Sequence, residues 1–503
     1  MTSPRPGVAS ATKVGASWPG VGEIRARIAA GSLSALEVTE EALARASSVG
    51  ERLHAFTSLD PEGARKTARE LDKALARGVP PGPLHGVPLG IKDLISTRGL
   101  PTTGGSRALK GVEWSGGSRG EATVVRRLRR AGAVILGKTN LNEFAYGVTG
   151  ENAHFGNSVN PWATDRMSGG SSGGSAVAVA AGILPGAVGT DTRGSIRIPA
   201  ACCGITGFKP TRGRVPIRGV FPLSRTLDHV GPLARSVDEA SLLFFLMAGG
   251  PDPLGRHSRA VERPVKGLRV GLPAFFRAGL DAEISRAFDD ALEVLEGAGL
   301  ELVEIQVPEL EGSLEASAVI AGAEALAVHD ERLKERPKDF DPAVHARLKK
   351  AYNLTGLELA QAHEHRKMLS GAYRRVFREV DLMAGPTLPG LPPRPGGTTV
   401  SVAGGREEWV VDAFCRFMAP QNMTGAPALS LPCGLSSSGL PIGLQLWAAP
   451  GADPLPLTVG RAYQERTEWH RARPPALPDA AATGMAPGQA PGQAPGRTSG
   501  GTP

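Results

Sequence analysis

Met167-Ser-Gly-Gly-Ser-Ser-Gly-Gly-Ser-Ala-Val-Ala-Val-Ala-Ala-Gly182, Ile183-Leu-Pro-Gly-Ala-Val188 and Gly189-Thr-Asp-Thr-Arg-Gly-Ser-Ile-Arg-Ile-Pro199 follow one another without a break, and the fold turns on how they are read. Two Gly/Ser clusters flank a run of small apolar residues. Glycine allows positive φ and close approach of a second chain or a ligand. Ser175 to Ala181 is helix-compatible, so the first cluster is expected to feed a helix N-terminus, where free N–H groups can hold negative charge. The second cluster ends at Ser195, a hydroxyl on a Gly-containing turn. That suits a nucleophile beside an oxyanion site, the pairing that acyl transfer needs. A flexible linker is the plain alternative. An Ala/Val helix, a buried turn and an Ile-Arg-Ile-Pro strand after the clusters argue against it.

Outward from this stretch, strands and helices alternate. Ser34-Ala-Leu-Glu37 fits a capping box, predicting a helix from about Ala35 to Ala46, and a second helix is expected from about Glu62 to Arg77. Leu84 to Asp93 contains a short apolar strand with Lys92 near its end. A snorkelling surface lysine is the ordinary reading of such a position. Residues 121–131 read as a helix with a solvated basic face, with Arg126, Arg127, Arg129 and Arg130 around Val124, Val125 and Leu128. Gly132 to Thr139 matches the phosphate-loop pattern G-x-x-x-x-G-K-T, but its middle four residues are themselves a strand, which rejects that reading. Cys203 to Thr211 reads as a turn-rich connection.

Further on, Leu268–Leu272 and the alternation of Val303, Ile305 and Val307 predict strands, with an Asp281-capped helix between them. Residues 314–380 read as helical; His363 and His365 lie two apart, on different faces, and do not form a metal pair. Strands recur near Leu382–Ala384, Ala428–Leu431 and Ile442–Leu446, and Asp453-Pro454 signals a capped last helix. The class is α/β with a large mixed sheet.

Composition narrows the function. The 503 residues are 41% apolar, ample for a core, and carry 57 basic against 49 acidic side chains, a net charge of +8 from scattered residues rather than a nucleic-acid patch. Cys202, Cys203, Cys415 and Cys433 lack metal or disulfide spacing and read as reduced, buried thiols. Met1 to Gly20 is polar and reads as a flexible arm, not a signal peptide, and no run of about 18 apolar residues is long enough to span a membrane. The expected compartment is cytoplasmic. From about Pro475 the composition changes; Ala486-Pro-Gly-Gln recurs at Ala490, and an Ala/Pro/Gly-rich tail over 476–503 is expected to be disordered. The main domain then spans 21–475.

Together these residues resemble the amidase signature family. The match covers about 20–475 and includes Gly90-Ile-Lys-Asp93, Gly137-Lys-Thr-Asn140, Gly169 to Ser175, Gly189 to Arg197, Gly207-Phe-Lys-Pro-Thr211 and Gly443-Leu-Gln445. The resemblance implies a large twisted mixed sheet flanked by helices on both faces and a Ser-cis-Ser-Lys triad. Ser195, 24 residues after Ser171, matches the nucleophile, Ser171 the bridging serine joined through a cis peptide, and Lys92 the base. Backbone N–H groups from Thr192 through Arg193 and Gly194 to Ser195 would hold the oxyanion, with Gly170 beside them and Asp191 orienting the loop. The implied activity is hydrolysis of a small-molecule carboxamide through a Ser195 acyl-enzyme, without metal or cofactor. No nucleic-acid or membrane partner is expected, and a homodimer is the candidate assembly.

Two departures from the family matter. Arg193 stands where the family usually has glycine, so a Cβ would restrict the loop if positive φ were required there. Relatives that transamidate misacylated tRNA use partner subunits and an acidic residue gripping glutamine. Here that position, seven before Asn422, is Cys415. The alternative function is nevertheless the glutaminase component, the A subunit, of such an amidotransferase. A third reading takes Gly169-Gly-Ser-Ser-Gly173 as the nucleophile elbow of an α/β-hydrolase, with Ser171 as nucleophile and His470 as its late histidine. Pocket specificity is expected from residues 140–165, 220–260 and 315–420.

Overall fold

The computed structural model describes residues 19–111, 114 and 120–475. The expected N-terminal arm, apart from Pro19 and Gly20, and the expected tail over 476–503 lie outside the described residues. In chain order the strands are β1 (Phe56–Leu59), β2 (Pro88–Lys92), β3 (Val134–Thr139), β4 (Gly186–Asp191), β5 (Thr206–Lys209), β6 (His229–Ala234), β7 (Arg269–Pro273), β8 (Glu301–Ile305), β9 (Leu382–Pro386), β10 (Thr399–Ser401), β11 (Glu407–Trp409), β12 (Ala428–Leu435) and β13 (Pro441–Ala448). Eleven form one sheet in the order β1-β3-β2-β4-β6-β5-β12-β13-β9-β7-β8, and β10 and β11 pair separately. β3, β2 and β4 run parallel, as do β9, β7 and β8, while the strands between them are antiparallel, so the sheet is mixed as expected.

Successive side chains of a strand point to opposite faces, so a strand buried at every residue is covered on both sides. β2, β3, β4, β5, β6, β9 and β13 are buried throughout; the edge strands β1 and β8 are not. Local signals place much of the helical cover. Ser34 and Glu37 form a reciprocal capping box for helix Ala35–Arg45, and Asp60 caps helix Pro61–Ala76. Asp281 accepts the Glu283 amide at 2.8 Å and starts helix Ala282–Gly297. The phosphate-loop look-alike lies on β3, in keeping with its rejection.

Four expectations are corrected. Arg197 to Pro199 open helix Arg197–Cys202, with Ile196 as its N-cap, and none of the four is in a strand. Pro199 is tolerated because it sits in the first turn, where its missing N–H is not needed. Within the expected loop 203–211, Thr206–Lys209 is a strand, pairing with β6 and β12. The basic helix, Thr123–Arg130, is solvated along only part of its basic face: Arg130 is exposed, but Arg127 donates to the Met247 and Ala248 carbonyls at 2.7 and 2.8 Å, and Arg129 meets Glu121 at 2.9 Å. Orphan carbonyls at a helix end attract such a guanidinium. Asp453 precedes helix Pro454–Gln464 as expected but makes no side-chain cap; its carboxylate accepts from the Thr211 amide and hydroxyl at 2.8 and 2.7 Å.

Candidate active site

β2 and β4 are parallel neighbours, with Ile91 opposite Val188, so their carboxyl ends bring Lys92 and Thr190-Asp191 to the same end of the sheet. Open α/β sheets commonly carry their sites at that end. Between them lies the first Gly/Ser cluster. It leads, through Ser172, into the buried helix Gly173–Ala180. A Cβ on Gly174 would stand 2.4 Å from the Ala55 carbonyl oxygen and the Asn140 nitrogen, so only glycine lets the helix come this close. The Gly174 amide donates to the Asn140 carbonyl at 3.0 Å. The Gly170–Ser171 peptide is cis.

Lys92 is no snorkelling side chain. It is fully buried, and its Nζ donates to Ser171 Oγ at 2.8 Å, Ser172 Oγ at 2.9 Å and Thr190 Oγ1 at 2.9 Å. Burial drives its pKa down to about 7, against the opposing pull of the Asp191 and Asp228 carboxylates. Ser171 therefore sits against an amine that is largely neutral just above neutrality. The elbow reading requires a histidine at Ser171; the hydroxyl meets Lys92 instead, and no strand leads into Ser171.

The second cluster is held from below by a buried network. Asp191 accepts the Gly194 amide at 2.8 Å and the Ile196 amide at 3.2 Å, and pairs with Arg197 through two contacts of 3.0 Å. Arg197 also reaches Gln445 Oε1 at 2.7 Å, Gln421 Oε1 at 3.2 Å and Asn422 Oδ1 at 2.5 Å. Although burial opposes it, the Arg197 charge holds the Asp191 carboxyl well below the usual carboxylate range. Asp191 thus ties down the loop through the Gly194 and Ile196 amides. Thr192 Oγ1 donates to Asp228 at 2.6 Å, and burial raises the Asp228 carboxyl to about 6.

Arg193 is not among the non-glycine residues with positive φ; the left-handed residue is Gly194, at 110°. The departure at 193 is therefore accommodated without backbone strain. A Cβ on Gly194 would stand 2.4 Å from the Met418 side chain, a second reason for glycine there. One expected oxyanion donor is corrected: the Gly194 amide is turned to Asp191. The amides of Thr192, Arg193 and Ser195 remain as candidates.

Ser195, Thr192 and Arg193 line a cavity of about 410 Å³. Its other walls come from residues 145–148, Leu223, Ala318, Ala321, 346–350 and 409–415, all within the three regions expected to set specificity. Sequence reasoning missed Ser172 and Thr190 as partners of Lys92, and Gln421, Asn422 and Gln445 as partners of Arg197. The first pair adjoins residues already singled out; the last three lie more than 200 positions away from Arg197 and have no local signal.

Among the described residues no helix is long and apolar enough to cross a membrane. The family profile named Amidase matches residues 37–457. The chain is 39% identical over 484 residues to the A subunit of a glutamyl-tRNA(Gln) amidotransferase from Chloroflexus aggregans, covering 89% of this chain and 96% of that one. A solved amidase superposes with a TM-score of 0.82 at 38% identity, over 89% of this chain and 100% of the other. A structure described as a vestigial protein complex bearing on the origins of an s-triazine catabolic enzyme superposes at 0.83 and 35% identity, covering 89% and 98%. With the motifs, the mixed sheet and the profile in agreement, the chain belongs to the amidase signature family, enzymes acting on amide carbon–nitrogen bonds.

Proposed function

We propose that this protein cleaves a carboxamide through an acyl-enzyme on Ser195, with Ser171 and Lys92 moving the proton. The observation that carries the reading is Lys92 Nζ, fully buried and 2.8 Å from Ser171 Oγ. A neutral amine can accept a proton, and burial leaves about half of this one neutral at about pH 7 and most of it neutral above that. The Ser172 hydroxyl hydrogen points to the Thr190 carbonyl at 3.2 Å, so the hydrogen offered to neutral Lys92 comes from Ser171 or Thr190. Ser171 then takes the proton of Ser195 as that hydroxyl attacks the amide carbon. The oxygen of the tetrahedral intermediate meets the free amides of the 192–195 turn. Collapse expels ammonia, protonated by the return of the same proton, and water releases the carboxylate by the reverse relay.

Two settings for this chemistry are supported by different observations. The curated relatives favour the A subunit of a tRNA-dependent amidotransferase, which works with partner subunits: they carry that name at 36–39% identity over nearly their whole length. Cys415, at the position where such proteins grip glutamine with an acid, favours a free-standing amidase, and we take that as the reading of this site. Hydroxylamine should trap the acyl group of a simple amide as a hydroxamate, and Ser195→Ala should abolish trapping. The chain alone should release ammonia without ATP or tRNA. Glutaminase activity that appears only on adding amidotransferase partner subunits would establish the amidotransferase reading instead. Trapping retained in Ser195→Ala but lost in Ser171→Ala would move the nucleophile to Ser171.

A further inference from the structure

We propose that the cavity beside Ser195 selects amides whose acyl chain carries a carboxylate, and that Arg193 is the specificity-determining residue. The inference rests on the amide hydrolysis proposed above and names its substrate class. Three cationic side chains, Arg193, Arg347 and Lys350, line the cavity, against one carboxylate, Asp412. No ion pair within 4.0 Å among the described residues involves any of the three cations. Their charge is therefore left for something that enters.

The two guanidiniums are aimed, not loose. Arg193 Nε donates to Ser317 Oγ at 3.0 Å and its Nη2 to the Leu314 carbonyl at 3.4 Å, both neutral acceptors that hold the group without cancelling its charge. Arg347 donates to the Tyr146 carbonyl and lies 5.9 Å from the centre of the Tyr146 ring. Both charges act on the Tyr146 hydroxyl, opposing the rise that burial imposes on it, so they converge on one wall of the cavity. Arg193 is also two residues from Ser195, so a carboxylate it holds belongs to the same small molecule as the amide being attacked. A planar guanidinium binds a carboxylate through two parallel hydrogen bonds, which orients the acyl chain as well as attracting it. A neutral amide of equal length brings these cations no counter-charge.

The test compares succinamate with butyramide, which differ only by a terminal carboxylate in place of a methyl. Calorimetric titration of the Ser195→Ala protein reads binding without turnover. Succinamate should bind about 10- to 150-fold tighter, the factor of one charged hydrogen-bonded contact. The preference should shrink as NaCl is raised. Adding Arg193→Gln should bring the ratio close to one, Arg193→Lys should keep part of it, and Arg347→Gln should lower it. In the wild type, kcat/KM should show the same preference. Equal binding of the two amides, or a ratio unmoved by both Arg193→Gln and Arg347→Gln, overturns the inference. If both amides are hydrolysed without preference, the charge selection falls and the amidase reading stands. If succinamate is preferred in binding but the wild type hydrolyses neither amide, the subsite stands and the hydrolytic reading falls.

Discussion

A lysine that ends a strand reading Pro88-Leu-Gly-Ile91 is carried into the core by its neighbours, and its chemistry follows from that placement. The three hydroxyls around Nζ satisfy it without supplying a counter-charge, so desolvation dominates and the amine loses its proton near pH 7. The neutral fraction rises with pH through that value. Amidase activity should therefore rise along one ionisation with a midpoint of about 7 and not fall again through loss of this group. Lys92→Ala should lower kcat/KM by about 10²- to 10⁴-fold, the usual contribution of a general base, and remove that limb. Lys92→Arg should not restore it, because a guanidinium stays protonated. The measurement is kcat/KM from pH 5 to 9 for the three proteins. An unchanged limb in Lys92→Ala would move the base elsewhere.

At the scale of elements, the cavity has two walls that the sequence keeps far apart: the loop at 145–148 and the helix Pro342–Ala351, which presents Ala346, Arg347 and Lys350. Glu143 joins them. Its carboxyl accepts from Ser106 Oγ at 2.6 Å and from the Asp341 amide at 2.8 Å, immediately before that helix, and it contacts His154 Nε2 at 3.0 Å. Burial raises its pKa from 4.5 to about 8, outweighing the hydrogen bonds that pull it down. A carboxyl with a raised folded-state value favours folding while protonated. That contribution is complete below about 4.5 and is lost as pH rises through about 8. Thermal stability should decline across this window, and Glu143→Gln, neutral throughout, should flatten the decline. Parallel Tm curves for the two proteins between pH 5 and 9 would exclude the carboxyl as the cause.

For the whole molecule, the order of the sheet matters more than its size. β12 and β13, the last strands in sequence, lie between β5 and β9. Without them the sheet is two pieces, each with an unpaired central edge, and Gln445, a partner of Arg197 at 2.7 Å, is lost with β13. A chain ending at residue 425 should thus be insoluble or prone to aggregate, since long buried strands with free edges pair with other chains. A chain ending at residue 475 lacks only the Ala/Pro/Gly-rich segment, whose composition cannot build a core. It should match the full chain in Tm and kcat/KM. Soluble, monomeric behaviour of the 425-residue fragment would contradict the role given to β12 and β13.

By itself the sequence determined the α/β class and the mixed sheet, which rest on local chemistry, and it singled out Lys92, Ser171 and Ser195 through the family resemblance. Glycine where the backbone must approach closely, a capping box, and apolar runs around a lone lysine are all read within a few residues. It misjudged Ile196 to Pro199 and Thr206–Lys209, where tertiary partners overrode the local signal: Arg197 turns inward to Asp191, and β5 finds two neighbours in the sheet. The basic helix misled in part for a similar reason, since Arg127, which looks solvated in sequence, is drawn to the carbonyls at Met247 and Ala248. What only the tertiary structure decided is the environment of charge. Whether Lys92 is neutral, whether Arg193 strains its loop, and whether Arg347 stands near it depend on what is packed around each group in space. Desolvation and Coulomb interaction act over distances that sequence separation does not measure.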